Sequence, residues 1–155
     1  MDLCLDVGNS HVVAGVYQSG DLQATFRYPT IQTLVTSDQL GLFLLTAMRE
    51  RQLEPTEINR IGLCSVVPSL NYSILAACQK YFDQPVFTVK AGVKTGLNIR
   101  VAAAKEVGAD RIVNAVSAYQ VCQSAVVVVD FGTATTFDCV SPASDYVGGV
   151  ISQTL

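Results

Sequence analysis

The chain has 155 residues, half of them hydrophobic and 15% charged, with ten Lys+Arg against thirteen Asp+Glu for a net charge of −3. That balance excludes a disordered chain and the basic surface that general nucleic-acid binding requires. At this length roughly 70% of the unfolded surface can be buried, which is ample for one solid domain and tight for two.

Leu3–Val7 is a short apolar run ending in Gly8-Asn9, and an alternating run, His11–Tyr17, follows it. Two runs joined by a Gly/Asn turn predict a β-hairpin. Ser19-Gly20-Asp21 makes a second turn and Leu22–Tyr28 a third strand, so the sheet begins antiparallel and is expected to be mixed. Thr36 and Gln39 have capping-box spacing. Leu40, Phe43, Leu44, Ala47 and Met48 then recur at helical spacing, predicting a helix over about 37–51. Arg60–Ser65 reads as a strand, Pro68-Ser69 opens a helix through Phe82, and Val86–Val89 is another strand. Lys90–Ala104 has two glycines and no clear period, which suits a functional loop or an irregular strand. Ile112, Ala115, Val116 and Tyr119 describe one face of a helix starting near Ala109. Ala125–Val129 is a continuous β-branched run, expected to be a central strand covered on both faces, with Thr133–Val140 and Tyr146–Ile151 as hairpin partners.

No apolar run approaches the ~20 residues of a membrane-spanning helix. The acidic start Met1-Asp2-Leu3-Cys4-Leu5-Asp6 lacks the basic opening of a secretory signal. Five scattered cysteines (4, 64, 78, 122 and 139) show no C-x-x-C spacing, and read as buried thiols in a reducing cytoplasm.

One internal echo carries chemistry. Asp6-Val7-Gly8-Asn9-Ser10 follows the first strand, and Asp130-Phe131-Gly132-Thr133-Ala134-Thr135 follows the run at 125–129. Aspartate at a strand end can hold a cation against a polyphosphate. The glycine permits a sharp turn and close backbone approach, and the N–H and hydroxyl groups beyond it can form an anion-binding concavity. Taken singly, each is ordinary turn chemistry. Two copies, each after an apolar strand and before hydroxyls, point to a nucleotide gripped from both sides. Other motifs carry less: His11 is expected in the strand after the first bend, and Gly92-Val93-Lys94-Thr95-Gly96 lacks the Gly-Lys-Thr adjacency of a P-loop. Asp138 is expected to be a solvent-facing strand residue. Asp110 and Arg111 open a helix, where the dipole and the neighbouring cation favour a carboxylate. A proton acceptor needs that charged form, although a helix start with a surface ion pair fits the same residues.

With these blocks in place, the chain resembles the acetate and sugar kinase, Hsp70 and actin superfamily, and within it the type III pantothenate kinases. The resemblance runs along nearly all of the sequence. It rests on Leu5–Ser10, Lys94-Thr95-Gly96-Leu97, Glu106–Asn114 with its Gly-Ala-Asp-Arg core, Val129–Asp138, and Tyr146-Val147-Gly148-Gly149-Val150-Ile151. It implies an α/β, ribonuclease-H-like mixed sheet with flanking helices, the actin-like ATPase fold. The first domain would span residues 1–115 and carry the first phosphate loop. Residues 116–155 would hold the linking helix and opening hairpins of an incomplete second domain with the second loop.

The implied activity is ATP-dependent phosphorylation of pantothenate, the first step of coenzyme A biosynthesis. By resemblance Asp110 accepts the hydroxyl proton, and Gly108, Ala109, Asp110 and Arg111 line the pantothenate site. ATP contacts fall on Asp6, Val7, Gly8, Asn9, Ser10, His11, Val12 and Val13, and on Thr133. Asp130 matches the ligand of a monovalent cation, potassium or ammonium, and Mg²⁺ accompanies ATP near Asp6. Two departures stand out. Val101-Ala102-Ala103-Ala104 replaces the family's Tyr-x-Asn-Pro stretch, a lost hydrogen bond of about 1 kcal/mol, and Ile151-Ser152-Gln153 replaces Ile-x-Pro-Gly. The resemblance also implies about a hundred further residues, so a homodimer or a complementing subunit is expected to cover the apolar strand at 125–129. ATP and pantothenate are the expected ligands, with no nucleic acid and no membrane. The rival readings are a non-catalytic or regulatory subunit keeping the fold, and a superfamily kinase acting on another small hydroxyl.

Overall fold

In the computed structural model, described over residues 1–30, 35–90 and 92–153, the chain divides into two compact units, Met1–Val89 and Lys90–Leu155. The division falls well before the 115/116 boundary read from the sequence. The helix that follows Gly108 packs on the strands after it, and so belongs with them.

In the first unit, β1 (Asp2–Val7), β2 (His11–Gln18) and β3 (Asp21–Pro29) form an antiparallel meander. Beyond it lie β4 (Arg60–Ser65) and β5 (Val86–Thr88), parallel to β1, in the order β3-β2-β1-β4-β5. The alternation of β1 decides its facing: Leu3, Leu5 and Val7 are buried while Cys4 and Asp6 are exposed. Register carries that face across the sheet, with Leu3 opposite Val16 and Ile61, and Leu5 opposite Ala14 and Leu63. α1 (Ser37–Glu50) and α2 (Pro68–Phe82) supply the crossovers, and Leu40, Leu44, Met48, Ile74 and Phe82 join the same core. The capping box is present, with Gln39 N–H donating to Thr36 Oγ1 at 3.2 Å and the Gln39 side chain accepting from Thr36 N–H at 2.9 Å.

In the second unit, α3 (Ala109–Cys122) packs on β7 (Val126–Phe131) and β8 (Ala134–Val140), and β9 (Asp145–Gln153) pairs antiparallel with β8. The stretch read as a loop or irregular strand contains both: β6 (Asn98–Ile99), parallel to β9, and a short 3-10 turn at Ala104–Glu106. The order is β6-β9-β8-β7, which corrects one expectation: β7 is an edge strand, with Val127, Val129 and Phe131 exposed. A β-branched run marks a good strand, but its place in the sheet depends on what lies beside it. The core here is small, centred on Ala115, Val140 and Tyr146. The thiol expectation is also corrected: Cys64 and Cys78 are buried, whereas Cys4 and Cys122 are exposed and Cys139 is intermediate. No described helix is long and apolar enough to cross a membrane.

Candidate functional site

The bend after β1 is braced from three directions. Gly8 N–H donates to His11 O at 3.0 Å, closing the turn, and Val66 N–H donates to Val7 O at 3.0 Å from beyond β4. Thr30, just past β3, donates its hydroxyl to Gly8 O at 2.8 Å and its N–H to Ser10 O at 2.9 Å. Thr30 was not legible as a site residue, because the contact crosses 22 positions. Within the segment expected to meet ATP, Asn9, Ser10 and His11 are exposed, while the Val7 and Val12 side chains are core. Those two valines can offer a ligand only their backbone. Asp6 lies on the sheet face opposite the core.

The second bend is built alike. β7 ends at Phe131, and Gly132 N–H donates to Ala134 O at 3.1 Å. Asp130 is exposed and accepts a hydrogen bond from Asn114 Nδ2 on α3 at 3.0 Å. Asn114 sits one helical turn after Asp110 and Arg111, so one helix addresses both places. Among the described residues no group of three or more His, Cys, Asp or Glu could hold a metal. Asp6 and Asp130 are single hard carboxylates. Each taken by itself fits a cation that keeps most of its waters better than a resident ion in a protein cage.

The third element is the start of α3. Gly108 is its N-cap residue, and Asp110 Oδ1 accepts the backbone N–H of Arg111 at 2.7 Å. The ion pair anticipated at this place is not between these neighbours. Arg111 Nε donates instead to Asp138 Oδ1 at 2.8 Å, and Nη2 lies 2.7 Å from the same oxygen. Tyr146 Oη also donates to it, at 2.5 Å. Asp138 is 1% exposed, which overturns its reading as a solvent-facing residue. On β8 the parity of Thr136, Asp138 and Val140 faces inward, and Phe137, the apolar neighbour, is the exposed one. Apolar-in, polar-out patterning fails here because the buried carboxylate has a cation and a phenol to satisfy it.

The electrostatics follow from burial. Desolvation works against charge on Arg111, but the hydrogen bond and charge of Asp138 outweigh it and push the guanidinium pKa up. Burial, then the Asp138 hydrogen bond and charge, push the Tyr146 phenol well above its ordinary range, so it remains a donor at all physiological pH. Arg111 Nη2 is buried, with Asp138 Oδ1 as its close counter-charge. Gly149, opposite Asp138 in register, leaves room for this pair: a Cβ there would collide with Arg111 Nη2, Asp138 Oδ1 and the carbonyl of Phe137.

Nearby in the same unit is a cavity of about 550 Å³, lined by Lys90, Lys94, Arg100 and Lys105 together with Leu97 and Ile112. Its wall is cationic in a chain of net charge −3. Val101, which stands where the resemblance calls for tyrosine, is half-buried against the small core of this unit.

Comparison with known proteins identifies the family. The profile of the family described as type III pantothenate kinase matches residues 2–153. A type III pantothenate kinase of Legionella pneumophila (strain Corby) is 47% identical over 152 residues, covering 97% of this chain and 59% of that protein. One from Elusimicrobium minutum is 44% identical over 152 residues, covering 97% of this chain and 58% of that protein. The chain thus spans about three fifths of the length of these curated relatives. Among solved structures, a candidate 2-dehydro-3-deoxygalactonokinase from Sinorhizobium meliloti superposes with a TM-score of 0.59 at 14% identity, over 97% of this chain and 53% of that one. That likeness places the fold among sugar-kinase-like proteins. The profile match across almost every residue, with both acidic bends and the Gly-Ala-Asp-Arg helix start inside it, makes this chain a member of the type III pantothenate kinase family.

Proposed function

We propose that this chain carries the phosphate-loop and acceptor-site machinery of a kinase that transfers the γ-phosphoryl group of ATP to the primary hydroxyl of pantothenate. The observation that carries the reading is the start of α3. There a half-buried carboxylate, Asp110, adjoins a largely buried guanidinium, Arg111, that Asp138 holds in place.

Asp110 accepts the hydroxyl proton as the alkoxide oxygen attacks the γ-phosphorus. The new P–O bond forms in line as the bond to ADP breaks, and ADP leaves with that electron pair. Gly108, Ala109 and Arg111 bind the acid. The backbone of Asp6–Val13 and Thr133 bind phosphates through N–H and hydroxyl groups. Mg²⁺ bound with ATP would neutralise phosphate charge. Asp6 is the residue to hold it through water, and Asp130, oriented by Asn114, is the residue to take potassium or ammonium. The exposed apolar face of β7 is reserved for a second copy or a complementing subunit. Five free thiols suit the cytoplasm.

The test is pantothenate-dependent ADP release with and without potassium, in the wild type and Asp110→Asn. A general base contributes about 10²–10⁴-fold, so Asp110→Asn should lose at least about a hundredfold in kcat with a folded spectrum. Full activity in that variant removes the base assignment. A second reading, a non-catalytic subunit, is favoured by the apolar packing of Val101. Wild-type protein without pantothenate-dependent turnover, alone or with a complementing subunit, would establish it.

A further inference from the structure

Near its start α3 is fastened to the sheet at two points, and they differ in kind. On β8, Arg111 meets Asp138 in a pair largely withdrawn from solvent, with side chains 14% and 1% exposed. That link belongs to the interior of this unit. On β7, Asn114 Nδ2 donates to Asp130 Oδ2 at 3.0 Å, at an exposed rim. An amide–carboxylate bond open to water contributes little to folding, because water replaces it at small cost. Register shows what the bond does hold. Asp130 pairs with Thr136, two residues before Asp138, so both carboxylates lie on the sheet face that α3 covers. Asp130 also stands two residues before Gly132, whose N–H closes the second bend onto Ala134 O at 3.1 Å. Asp110 lies four residues before Asn114, stacked with it on one side of the helix. The bond Asp110 accepts, from Arg111 N–H at 2.7 Å, lies inside the helix and moves with it. Asn114 thus links Asp110 directly to the second bend. Its chemistry fits the place. Lysine or arginine there would consume the Asp130 charge, whereas a neutral amide fixes one oxygen and leaves that charge for a cation.

We propose that Asn114 is a positioning residue, which ties the second bend to the helix turn carrying Asp110 and so fixes the backbone at Gly132 and Thr133 relative to the proton acceptor. The inference rests on the reading above, in which that bend meets ATP and Asp110 serves pantothenate. It gives Asn114 the task of alignment, since in-line transfer needs donor and acceptor held to about an ångström. With a slack bend, water attacks the γ-phosphorus instead, and the products are ADP and inorganic phosphate.

The experiment compares the wild type with Asn114→Ala and with the double swap Asn114→Asp/Asp130→Asn. Alanine is the better helix former, so the first variant keeps α3. The swap returns an amide–carboxylate bond with donor and acceptor traded. Hydrogen exchange is followed at the amides of Gly132 and of Val140, a buried core residue of the same unit, together with phosphopantothenate formed per ADP released. Asn114→Ala should speed Gly132 exchange about fivefold, with Val140 within about twofold. Pantothenate phosphorylation should fall about tenfold or more, and ADP released per product should rise at least about twofold. The swap should restore protection at Gly132 but not turnover, since the charge has left β7. Gly132 exchange unchanged in Asn114→Ala, or Gly132 and Val140 accelerated alike, overturns the positioning role. Turnover restored in the swap supports that role and removes Asp130 as a cation ligand. A wild type without pantothenate-dependent turnover overturns the pantothenate reading instead, and the exchange rates then decide the positioning role alone.

Discussion

At the scale of single residues, Gly149 shows how a missing atom can be a functional part. Its Cβ would enter the space shared by Asp138 and Arg111, and the wall includes the backbone carbonyl of Phe137, which cannot swing aside. Overpacking of this kind typically costs about 1–3 kcal/mol. Gly149→Ala should therefore lower the thermal midpoint and disturb Arg111, and calorimetric melting checks the first effect. Asp138 was misread from sequence for a plain reason. Alternation tells which residues share a face, but a single buried charge looks like an exposed one until its partner, 27 positions away, is known. Asp110, Arg111 and the two acidic bends were legible because their residue types sit in short local blocks. Tyr146, Asn114 and Thr30 were not, since each acts through a partner distant in sequence.

At the scale of elements, the helices were legible nearly to the residue: α1 was expected over 37–51 and spans Ser37–Glu50. Its capping box makes a direct test. Thr36→Ala removes the acceptor for Gln39 N–H and should cost about 1 kcal/mol, read by chemical denaturation. Gly41, in the same helix, opposes two effects. Alanine there gains about 1 kcal/mol of helix propensity, but its Cβ would strike the Tyr81 ring. Overpacking at about 1–3 kcal/mol wins, so Gly41→Ala should destabilise unless α2 yields. Salt links on these elements set the acid response. Hydrogen bonds from Arg60 to Asp2, from Lys80 and Tyr81 to Asp38, and from Asn98 and Arg100 to Asp145 all lower those carboxyl pKa values. A depressed folded-state pKa means stability present above the unfolded value of about 4 and lost as pH falls through the folded one. Melting should therefore drop only at acid pH, and Asp38→Asn should flatten that drop slightly, exposed pairs being weak.

At the scale of the whole molecule, the sequence led to a mixed α/β protein with an antiparallel opening, and both sheets are of that kind. The place of β7 escaped it because strand character is local and sheet position is not. Val127, Val129 and Phe131 face solvent together with Phe137 and Val150 on the neighbouring strands. Contiguous exposed apolar surface is the usual mark of an interaction site, which is the ground for the proposed second copy or complementing subunit. Light scattering should find the chain dimeric or larger, and Val129→Lys should shift it toward monomer.

The braces on the first bend carry a different consequence. Thr30 clamps the peptide carbonyls of Gly8 and Ser10 with its own hydroxyl and amide, so the curvature there is preset before any nucleotide arrives. In the proposed reading, where this turn meets the phosphates of ATP, recognition there costs little ordering entropy. Thr30→Ala, which leaves every residue expected to touch ATP in place but removes the hydroxyl that holds Gly8, should reveal that hidden preparation as slower capture and faster escape of the triphosphate.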